Sequence, residues 1–492
     1  MPTADQDPLA EQVTYSAAAT RSWQAIEEKI AGVRLLLACS FAVCLLLSVA
    51  WYNGYPIVFS DTGGYVWTGA YFMPLAPFRA PGYSMFTRLM TLGDTASPVV
   101  AMQAVIVVYV LHLTCDHLMN GDRKVRDRCL LVTILGLTLL SSLPWFVSLL
   151  MPDVFAGVLF LSAYLLAFAD ALRVVPRLCL GVILMISAGA HASLLPIAGL
   201  FILALAGLRV AALCRHTVDG KRANLAWLVV PILAAAISTA ALNQRMGLGF
   251  RVSPSGSAFL LARLFSDGLA ADFLHENCAK RAFISCRYIS SLPHTQAEFL
   301  FQHPLIHDLQ GHQEEMAEIV RGTLIAYPLR FLASSAKETL LQLAAIRTGD
   351  EVRSYDAKDW NNGTIQRVFP GDFPAFSQGK QMRGRLLTLA NVAAALDTTS
   401  FWLSAAVCLL LARIRSLARL NEFFYWATAF LFINAVVCAT FSGVYDRYQS
   451  RVAWILPFCA VAYLCALIKE SRGAETGVTA RCGIEDWTAS AD

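Results

Sequence analysis

Residues 178 to 213, LCLGVILMISAGAHASLLPIAGLFILALAGLRVAAL, decide how the rest of the chain is arranged. The stretch is too long for one membrane-spanning helix, which needs about 20 mostly apolar residues, with a range of roughly 17 to 25. A polar break, SAGAHASLLP, lies near its middle. We therefore interpret the stretch as two helices that meet at His191. A single helix would reverse the orientation of every later span, so the positive-inside rule can test this choice.

The composition is that of a polytopic membrane protein. Of 492 residues, 57% are hydrophobic and only 15% are charged, with a mean hydropathy of +0.54; soluble domains carry roughly 25% charged residues. The formal net charge of +4 is too small to suggest nucleic acid. No basic run is interleaved with aromatic residues, as single-strand binding would need. We therefore expect a membrane lipid partner and no nucleic acid.

Ten membrane helices follow from the apolar stretches. The count agrees with the positive-inside rule, because it places all the strongly basic loops on one side, which is then cytoplasmic. These loops are GDRKVRDR (121–128), RVVPR (173–177), RHTVDGKR (215–222), RIRSLAR (413–419) and KESR (469–472). Besides the pair within 178–213, the predicted helices are 33–52, 98–119, 129–149, 154–172, 224–243, 387–411, 423–442 and 452–468.

The predicted fold is therefore an all-α polytopic membrane protein of about ten transmembrane helices, with a mostly helical extracytoplasmic insertion. The N-terminus lacks the basic region of a cleaved signal peptide, so the first helix is expected to remain as an anchor. Within the insertion, residues 313–343 fit an amphipathic helix near the membrane, and residues 350–376 indicate an irregular loop. Cys278 and Cys286 either form a disulfide, if this side is oxidising, or stay as free thiols. The predicted divisions are a cytoplasmic segment 1–32, a membrane domain 33–243 with the outer loop 53–97, an extracytoplasmic segment 244–386, membrane helices 387–468 and a cytoplasmic tail 469–492.

Polar residues gather on the predicted outer face, beginning with FSDTGGYV (59–66) after the first span. Asp61 suits either a site that accepts a proton or holds a metal, or a solvated loop or helix cap. Gly63 and Gly64 would let a substrate approach the backbone closely, although a simple turn also explains them. In FMPLAPFRAPGYSMF (72–86), Arg79 has the planar fork that grips phosphate, or it answers lipid head groups.

Further along the chain, WFVSLLMPD (145–153) places Asp153 at the outer start of a helix, where it is either catalytic or favoured by the helix dipole. His191 lies in irregular backbone, which the membrane tolerates only inside protein or along a cavity; a packed histidine is the alternative. Arg447 and Arg451, in YDRYQSRVAWILP (445–457), oppose the positive-inside trend. They either snorkel to the interface or answer a buried anion.

Together these motifs resemble the GT-C class of integral membrane glycosyltransferases, which includes protein O-mannosyltransferases, aminoarabinose transferases of lipid A and the RgtA/B/C/D-like family. The resemblance implies that Asp61 is the catalytic base, that Asp153 is a second acidic position for a metal or the acceptor, and that Arg447 lies near the donor phosphate with Arg79 and Arg451. Many members carry two adjacent acids in the first loop, whereas here the acid after Asp61 is Asp94. No cofactor is therefore certain, and a divalent cation such as Mg²⁺ or Mn²⁺ stays open. The residues expected to line the cavity are Gly63, Gly64, Tyr65, His191, Tyr445 and Tyr448.

The expected activity is transfer of a sugar from a polyprenyl-phosphate donor to a glycan, lipid or protein acceptor. It would take place at the outer face of a bacterial inner membrane, with both termini cytoplasmic. Two other classes stay open. A transporter or flippase of a lipid-linked or polar solute would explain the broken helix at His191, and a non-catalytic component of an envelope complex would explain the large outer segment.

Overall fold

The computed structural model describes residues 29–30, 32–74, 79–91, 95–214, 225–350 and 352–488. The predicted N-terminal segment falls mostly outside these ranges, as do Asp94, the basic loop 215–222 and the end of the tail. Regular structure in the described part is helical, apart from one parallel β-bridge between Ile57 and Leu149.

Eleven helices form the first half of the described chain. They are α1 Gly32–Leu46, α2 Ser48–Asn53, α3 Thr62–Tyr71, α4 Pro81–Met90, α5 Ser97–Leu118, α6 Arg123–Leu140, α7 Leu143–Ser148, α8 Phe155–Phe168, α9 Val174–Ala190, α10 Leu194–Cys214 and α11 Ala226–Arg245. A 3₁₀ turn at Pro152–Val154 precedes α8.

Twelve more helices follow, the first eight of them in the segment predicted to be extracytoplasmic. They are α12 Gly256–Ser266, α13 Leu269–Asn277, α14 Gln296–Phe301, α15 Pro304–Asp308, α16 Gln313–Ala326, α17 Pro328–Ala344, α18 Trp360–Val368, α19 Phe373–Gln378, α20 Leu386–Leu411, α21 Ala418–Phe441, α22 Asp446–Ala453 and α23 Ile455–Thr488.

Six stretches of the described chain are long and apolar enough to cross a membrane. They are Ser97–Leu118, Leu194–Ala211, Ala226–Arg245, Leu386–Leu411, Arg415–Phe441 and Asp446–Ser471. Shorter apolar helices include Gly32–Leu46, Pro152–Phe168 and Val174–Ala190. The fold is thus all-helical and consistent with a polytopic membrane protein, and helix length alone leaves the number of spans undecided.

The helix break at His191 is confirmed. Helix α9 ends at Ala190, His191 has extended backbone with φ −138° and ψ 145°, and α10 begins at Leu194. The span predicted at 129–149 is wrong as a single helix, because α6 ends at Leu140 and Ser141 is extended. The Ser141 hydroxyl bonds to the carbonyl of Leu137 at 2.7 Å, which satisfies a backbone group that the break leaves open.

Apolar side chains cover the outer faces of the long helices. Val230, Leu233 and Ile237 on α11 are 56–66% exposed, and Leu403 and Leu410 on α20 are 64% and 63% exposed. Water would penalise such faces by roughly 25 cal/mol per Å² of apolar surface. Lipid tails remove that penalty, so these faces suit a bilayer.

Three of the basic loops come together at one end of the long helices. Lys469 Nζ lies 3.4 Å from Asp122 Oδ2, and Arg419 donates a hydrogen bond of 2.7 Å to the carbonyl of His117. Ser416 reaches Glu470 across the same end at 3.4 Å. The loops at 121–128, 413–419 and 469–472 therefore share one side of the molecule.

The predicted segment 244–386 divides into two parts. Its first part folds around a core of its own, from Ala258 to Val320, and contains a disulfide between Cys278 and Cys286. The free-thiol alternative is thus wrong. The amphipathic helix expected at 313–343 is also wrong as one element, because Pro328 lacks an N–H and divides it into α16 and α17.

The second part, residues 346–385, returns to the main core. Ile346, Tyr355, Ile365 and Phe376 are buried in the same cluster as the membrane helices. The irregular loop expected at 350–376 contains α18 and α19 instead. This second part, which we call the return segment, covers the loop that carries Asp61.

Candidate functional site: a buried carboxylate and arginine cluster

The β-bridge holds two acidic loops side by side. The N–H of Ile57 donates to the carbonyl of Ser148, and the N–H of Leu150 donates to the carbonyl of Ile57, both at 2.9 Å. Thr62 adds a hydrogen bond of 3.2 Å from its hydroxyl to the carbonyl of Leu150. Asp61 and Asp153, each a few residues beyond this junction, are thereby fixed close together.

The return segment braces the same loop from the other side. Gln381 accepts from the N–H of Val58 at 3.0 Å and donates from its amide to the carbonyl of Val58 at 2.6 Å. The N–H of Gly63 donates to the side chain of Asn361 at 2.8 Å. The backbone that carries Asp61 is therefore held by side chains about 300 residues away in sequence.

Asp61 is paired with two arginines. Arg79, next to the start of α4, forms an ion pair and hydrogen bond with its Oδ1, and Arg447 Nη1 lies 3.6 Å from its Oδ2. The guanidinium of Arg447 also stacks over the ring of Phe59, 4.3 Å from its centroid. Side-chain exposure is 19% for Asp61 and 10% for each arginine, so the group is largely removed from water.

Asp153 lies deeper, between Arg447 and Arg451. Its Oδ1 is 3.9 Å from Arg447 Nε and 3.5 Å from Arg451 Nη1. The side chains of Asp153 and Arg451 are 0% exposed. Two arginines one turn apart on α22 thus reach one carboxylate, and α22 connects the two acidic loops. We call the resulting group the cluster; it consists of Asp61, Asp153, Arg79, Arg447 and Arg451.

His191 reaches this cluster through a hydroxyl. Arg451 Nη2 donates to Ser193 Oγ at 3.0 Å, and Ser193 Oγ lies 2.9 Å from His191 Nδ1. The N–H of Ser193 also donates to that nitrogen, which makes Nδ1 the acceptor and places the ring proton on Nε2. Burial, aided by Arg451, Arg447 and Arg79, lowers the pKa of His191 well below its usual value. The histidine is therefore neutral.

Several buried polar atoms of the cluster have no hydrogen-bond partner among the described residues. They are both carboxylate oxygens of Asp153, Nη1 of Arg447, Nε and Nη1 of Arg451, and Nε of Arg79. Buried polar groups in proteins are nearly always bonded. The cluster thus presents unused N–H donors beside unused carboxylate acceptors.

A cavity of about 30 Å³ adjoins the cluster at Arg447. It is large enough for about two water molecules and too small for a sugar. The polar residues of its wall are Thr348, Asp350, Arg447 and Ser450. The remaining lining residues, most of them apolar or aromatic, are Ile57, Phe59, Trp145, Phe146, Leu149, Gly349 and Val352. A ligand larger than water therefore requires movement of these walls.

Sequence reasoning missed three residues of this region. Asp350 lies in a segment without a periodic pattern, where only the Gly349-Asp350 pair gives a turn signal. Asn434 bonds Arg451 Nη2 through its Oδ1 at 3.0 Å, and Ser193 bridges to His191. Asn434 is a polar residue inside an otherwise apolar span, which is itself a sign of function.

The structure does not place any of the six predicted lining residues on the wall of this cavity. A Cβ at Gly63 would lie 2.8 Å from Asn361 Oδ1, and one at Gly64 would lie 3.2 Å from Arg79 Cγ. Both glycines therefore make room for neighbouring side chains of the protein, and neither lies on the wall of this small cavity.

The other predicted lining residues also have protein neighbours. Tyr65 is 2% exposed and packs edge-on against Tyr83, with ring centroids 5.2 Å apart. Tyr445 packs against Tyr448, whose ring lies 5.1 Å and 5.3 Å from the guanidinium carbons of Arg447 and Arg451. Tyr448 and His191 thus belong to the wall of the arginine cluster, and not to the cavity.

The donor set does not fit a divalent metal. Each of the two carboxylates already has a guanidinium within 4 Å, and three arginines against two aspartates leave one positive charge. Within the described ranges no group of three or more His, Cys, Asp or Glu side chains is arranged to hold a metal. Hard divalent cations need several oxygen ligands, and this cluster repels them.

Comparison with protein-family models, with curated proteins and with solved structures gave no match for this chain. The function proposed below is therefore based on the cluster and on the motifs that contain its residues.

Proposed function

We propose that this chain is a membrane glycosyltransferase that moves a sugar from a polyprenyl-phosphate donor to an acceptor. The observation that supports it most is the set of unpaired polar atoms in the cluster. Guanidinium N–H groups without a hydrogen-bond partner suit phosphate oxygens. The phosphate of a polyprenyl-phosphate sugar offers such oxygens.

In this proposal the arginines bind the leaving phosphate. Arg447, Arg451 and Arg79 stabilise the charge that builds on it as the acceptor oxygen attacks the anomeric carbon with inversion. One preorganised donor of this kind is worth about 3 kcal/mol in the transition state. The three guanidinium groups favour an anion in a site screened little by salt.

In this proposal Asp61 has a task that differs from the base role implied by the resemblance. Both of its carboxylate oxygens face guanidinium groups, Arg79 on one and Arg447 on the other. We therefore assign Asp61 to holding these two arginines in the phosphate-binding position. Loss of its charge then weakens donor binding as well as transfer.

The proposed topology has ten spans, with the cluster on the outer face of a bacterial inner membrane. Its support is that three of the basic loops, at 121–128, 413–419 and 469–472, meet at the opposite end of the long helices. Cytoplasmic loops carry the excess of Lys and Arg. A cysteine placed at Gly311, in an otherwise cysteine-free version of the same segment, should then react with an impermeant maleimide from outside the cell, and labelling from the cytoplasmic side only would contradict this topology.

Donor binding is the first test. The protein in nanodiscs is titrated with undecaprenyl phosphate, and the neutral alcohol undecaprenol is the matched ligand control. Arg447→Gln should weaken phosphate-lipid binding by about 30-fold or more, since removing one partner of a buried charged contact costs 2 kcal/mol or more. Arg330→Gln, which removes an exposed ion pair with Asp272, is the matched protein control. Equal binding of the phosphate and the alcohol would contradict the proposal.

Transfer itself is measured in proteoliposomes with undecaprenyl phosphate that carries radiolabelled glucose, mannose, galactose or arabinose, together with an envelope extract as acceptor. Sugar should leave the lipid and appear in the extract with wild-type protein only. If no donor in this set is consumed and deletion of the gene leaves every envelope glycan unchanged in mass, the transferase proposal is wrong.

The second candidate is a flippase or transporter of a lipid-linked solute. The break at His191, which reaches Arg451 through Ser193, favours it because broken helices mark transport sites. The gene deletion also separates the two functions. Loss of one sugar from the envelope glycan supports transfer, whereas accumulation of an unflipped lipid-linked intermediate supports transport.

A further inference from the structure

The return segment carries a carboxylate, Asp350, that is held in a fixed place by its neighbours. Thr348 is 5% exposed and donates a hydrogen bond of 2.5 Å to Asp397, a buried residue of α20. Gly349 has a φ of +89°, and a Cβ there would lie 2.7 Å from the Cβ of Ala390. Only glycine fits that turn without strain. The chain is thus clamped against α20 directly before Asp350.

Asp350 lies beside the cluster. It lines the same 30 Å³ cavity as Arg447 and Phe59. Burial raises the pKa of its carboxyl group, and the guanidinium and backbone N–H of Arg447 act in the opposite direction. The pKa of Asp350 is therefore higher than that of an ordinary aspartate. The carboxyl group also lies beside Arg447, which binds phosphate in the proposed function.

The two acids of the cluster, Asp61 and Asp153, are worse placed to accept a proton. Each carboxylate oxygen of Asp61 already faces a guanidinium group, so an acceptor hydroxyl would have to displace an ion pair to reach it. Asp153 is 0% exposed and lies behind Arg447 and Arg451, and it does not line the cavity. For Asp350, no ion pair within 4.0 Å is formed with any residue that the structure describes. Efficient general bases have a pKa near the working pH and reach the proton directly.

We propose that Asp350 is the general base that activates the acceptor in the transferase reaction. This inference rests on the proposed function. The acceptor O–H gives its proton to a carboxylate oxygen of Asp350 as its oxygen bonds to the anomeric carbon of the donor. The bond from that carbon to the phosphate oxygen breaks, and its electron pair leaves on the polyprenyl phosphate beside Arg447. Asp350 then returns the proton to water.

The test is the pH dependence of transfer by the full chain in proteoliposomes, with the donors named above. Wild-type kcat should fall on the acid side as Asp350 becomes protonated, at a pH above the ordinary aspartate value of about 4. Asp350→Asn keeps an acceptor for the N–H of Arg447 but cannot take a proton. It should lower kcat by about 10²- to 10⁴-fold and abolish the acid limb, while undecaprenyl phosphate binds at least as tightly as to the wild type.

Two matched variants separate this role from a structural one. Asp356→Asn, an exposed acid of the same segment, should leave rate and profile unchanged. Asp61→Asn should weaken donor binding and keep the acid limb in the activity that remains. If Asp350→Asn folds poorly, Asp350→Ala is assayed with added sodium formate, which fits the space that the substitution opens and should restore part of the rate.

An acid limb that persists in Asp350→Asn, or that disappears in Asp61→Asn, overturns the inference and leaves the transferase proposal standing. The same holds if formate fails to raise the rate of Asp350→Ala. If the wild-type protein transfers no sugar, the proposed function and this inference fall together.

Discussion

Asp153→Asn should destabilise the protein strongly while leaving its volume almost unchanged. The wild-type carboxylate is the nearest counter-ion of Arg451 and one of two for Arg447, at 3.5 Å and 3.9 Å. Asparagine removes the negative charge and leaves Arg451 buried without a compensating carboxylate. The perturbation is thus electrostatic, with little change in packing.

The expected magnitude follows from these distances. With an effective dielectric constant of about 20, each contact corresponds to roughly 4 to 5 kcal/mol of attraction. Most of this is offset by the cost of taking the carboxylate out of water, and breaking a buried pair by removing one partner costs about 3–5 kcal/mol. We expect the free energy of unfolding to fall by that amount.

The assay is unfolding in mixed micelles of a mild detergent and SDS, followed by tryptophan fluorescence. Asp122→Asn is the matched control. Asp122 pairs with Lys469 at 3.4 Å at the opposite end of the helices, where the side chains are 37% and 38% exposed. Asparagine can still cap α6 through the N–H of Val125. Solvent screening limits the effect of this control to about 1 kcal/mol or less.

Binding of undecaprenyl phosphate to Asp153→Asn shows whether Asp153 acts as a counter-ion of the arginines or contacts the lipid phosphate itself. Because Asp153→Asn adds one positive charge to the cluster, it should bind undecaprenyl phosphate at least as tightly as wild type. A variant that unfolds within about 1 kcal/mol of wild type, or that loses phosphate-lipid binding, would refute the account of Asp153 given above.

Three further predictions use the same preparations. Gly349→Ala should lower the free energy of unfolding by about 1–3 kcal/mol, because of its positive φ and its contact with Ala390, whereas Gly371→Ala, in open space, should not; equal stability would contradict the clamp at Asp350. Cys278→Ser should cost about 2–3 kcal/mol, from the short loop that the disulfide closes, and reduction of the wild-type protein should match it; no change on reduction would contradict a stabilising bond. Chelation with EDTA should leave transfer within about twofold, because the arginines repel divalent cations, and a rate that returns only with Mg²⁺ or Mn²⁺ would show that a metal binds.

The sequence was sufficient to predict which charged residues meet, but not how they are paired. Asp61, Asp153 and Arg447 lie in short stretches next to apolar helices, so the positive-inside rule alone assigns them to one face. The break at His191 follows from the length of its apolar stretch. These predictions depend on local composition and on the length of each apolar stretch relative to the thickness of a bilayer. Both can be read directly from a sequence.

The rest depends on contacts between distant parts of the chain. Asp350 meets Arg447 only because the return segment leaves the core around Leu261 and packs with the main one. The sequence of the return segment has no periodic pattern that would predict which of the two cores it joins. The neighbour of Gly63 could not be predicted for a similar reason, since the space beside this glycine is filled by Asn361, almost 300 residues later. Local pattern cannot reveal such a neighbour.

The pairing of Asp153 with Arg451 also sets a waiting time during synthesis. Arg451 follows Asp153 by almost 300 residues, which a ribosome needs about 15 to 60 s to add at roughly 5–20 residues per second. Until the last hairpin enters the membrane, a carboxylate destined for a dry interior has neither of its cations. A chain that ends before α22 would keep the charge of Asp153 unpaired. Membrane quality-control proteases could recognise such a truncated chain by this unpaired charge.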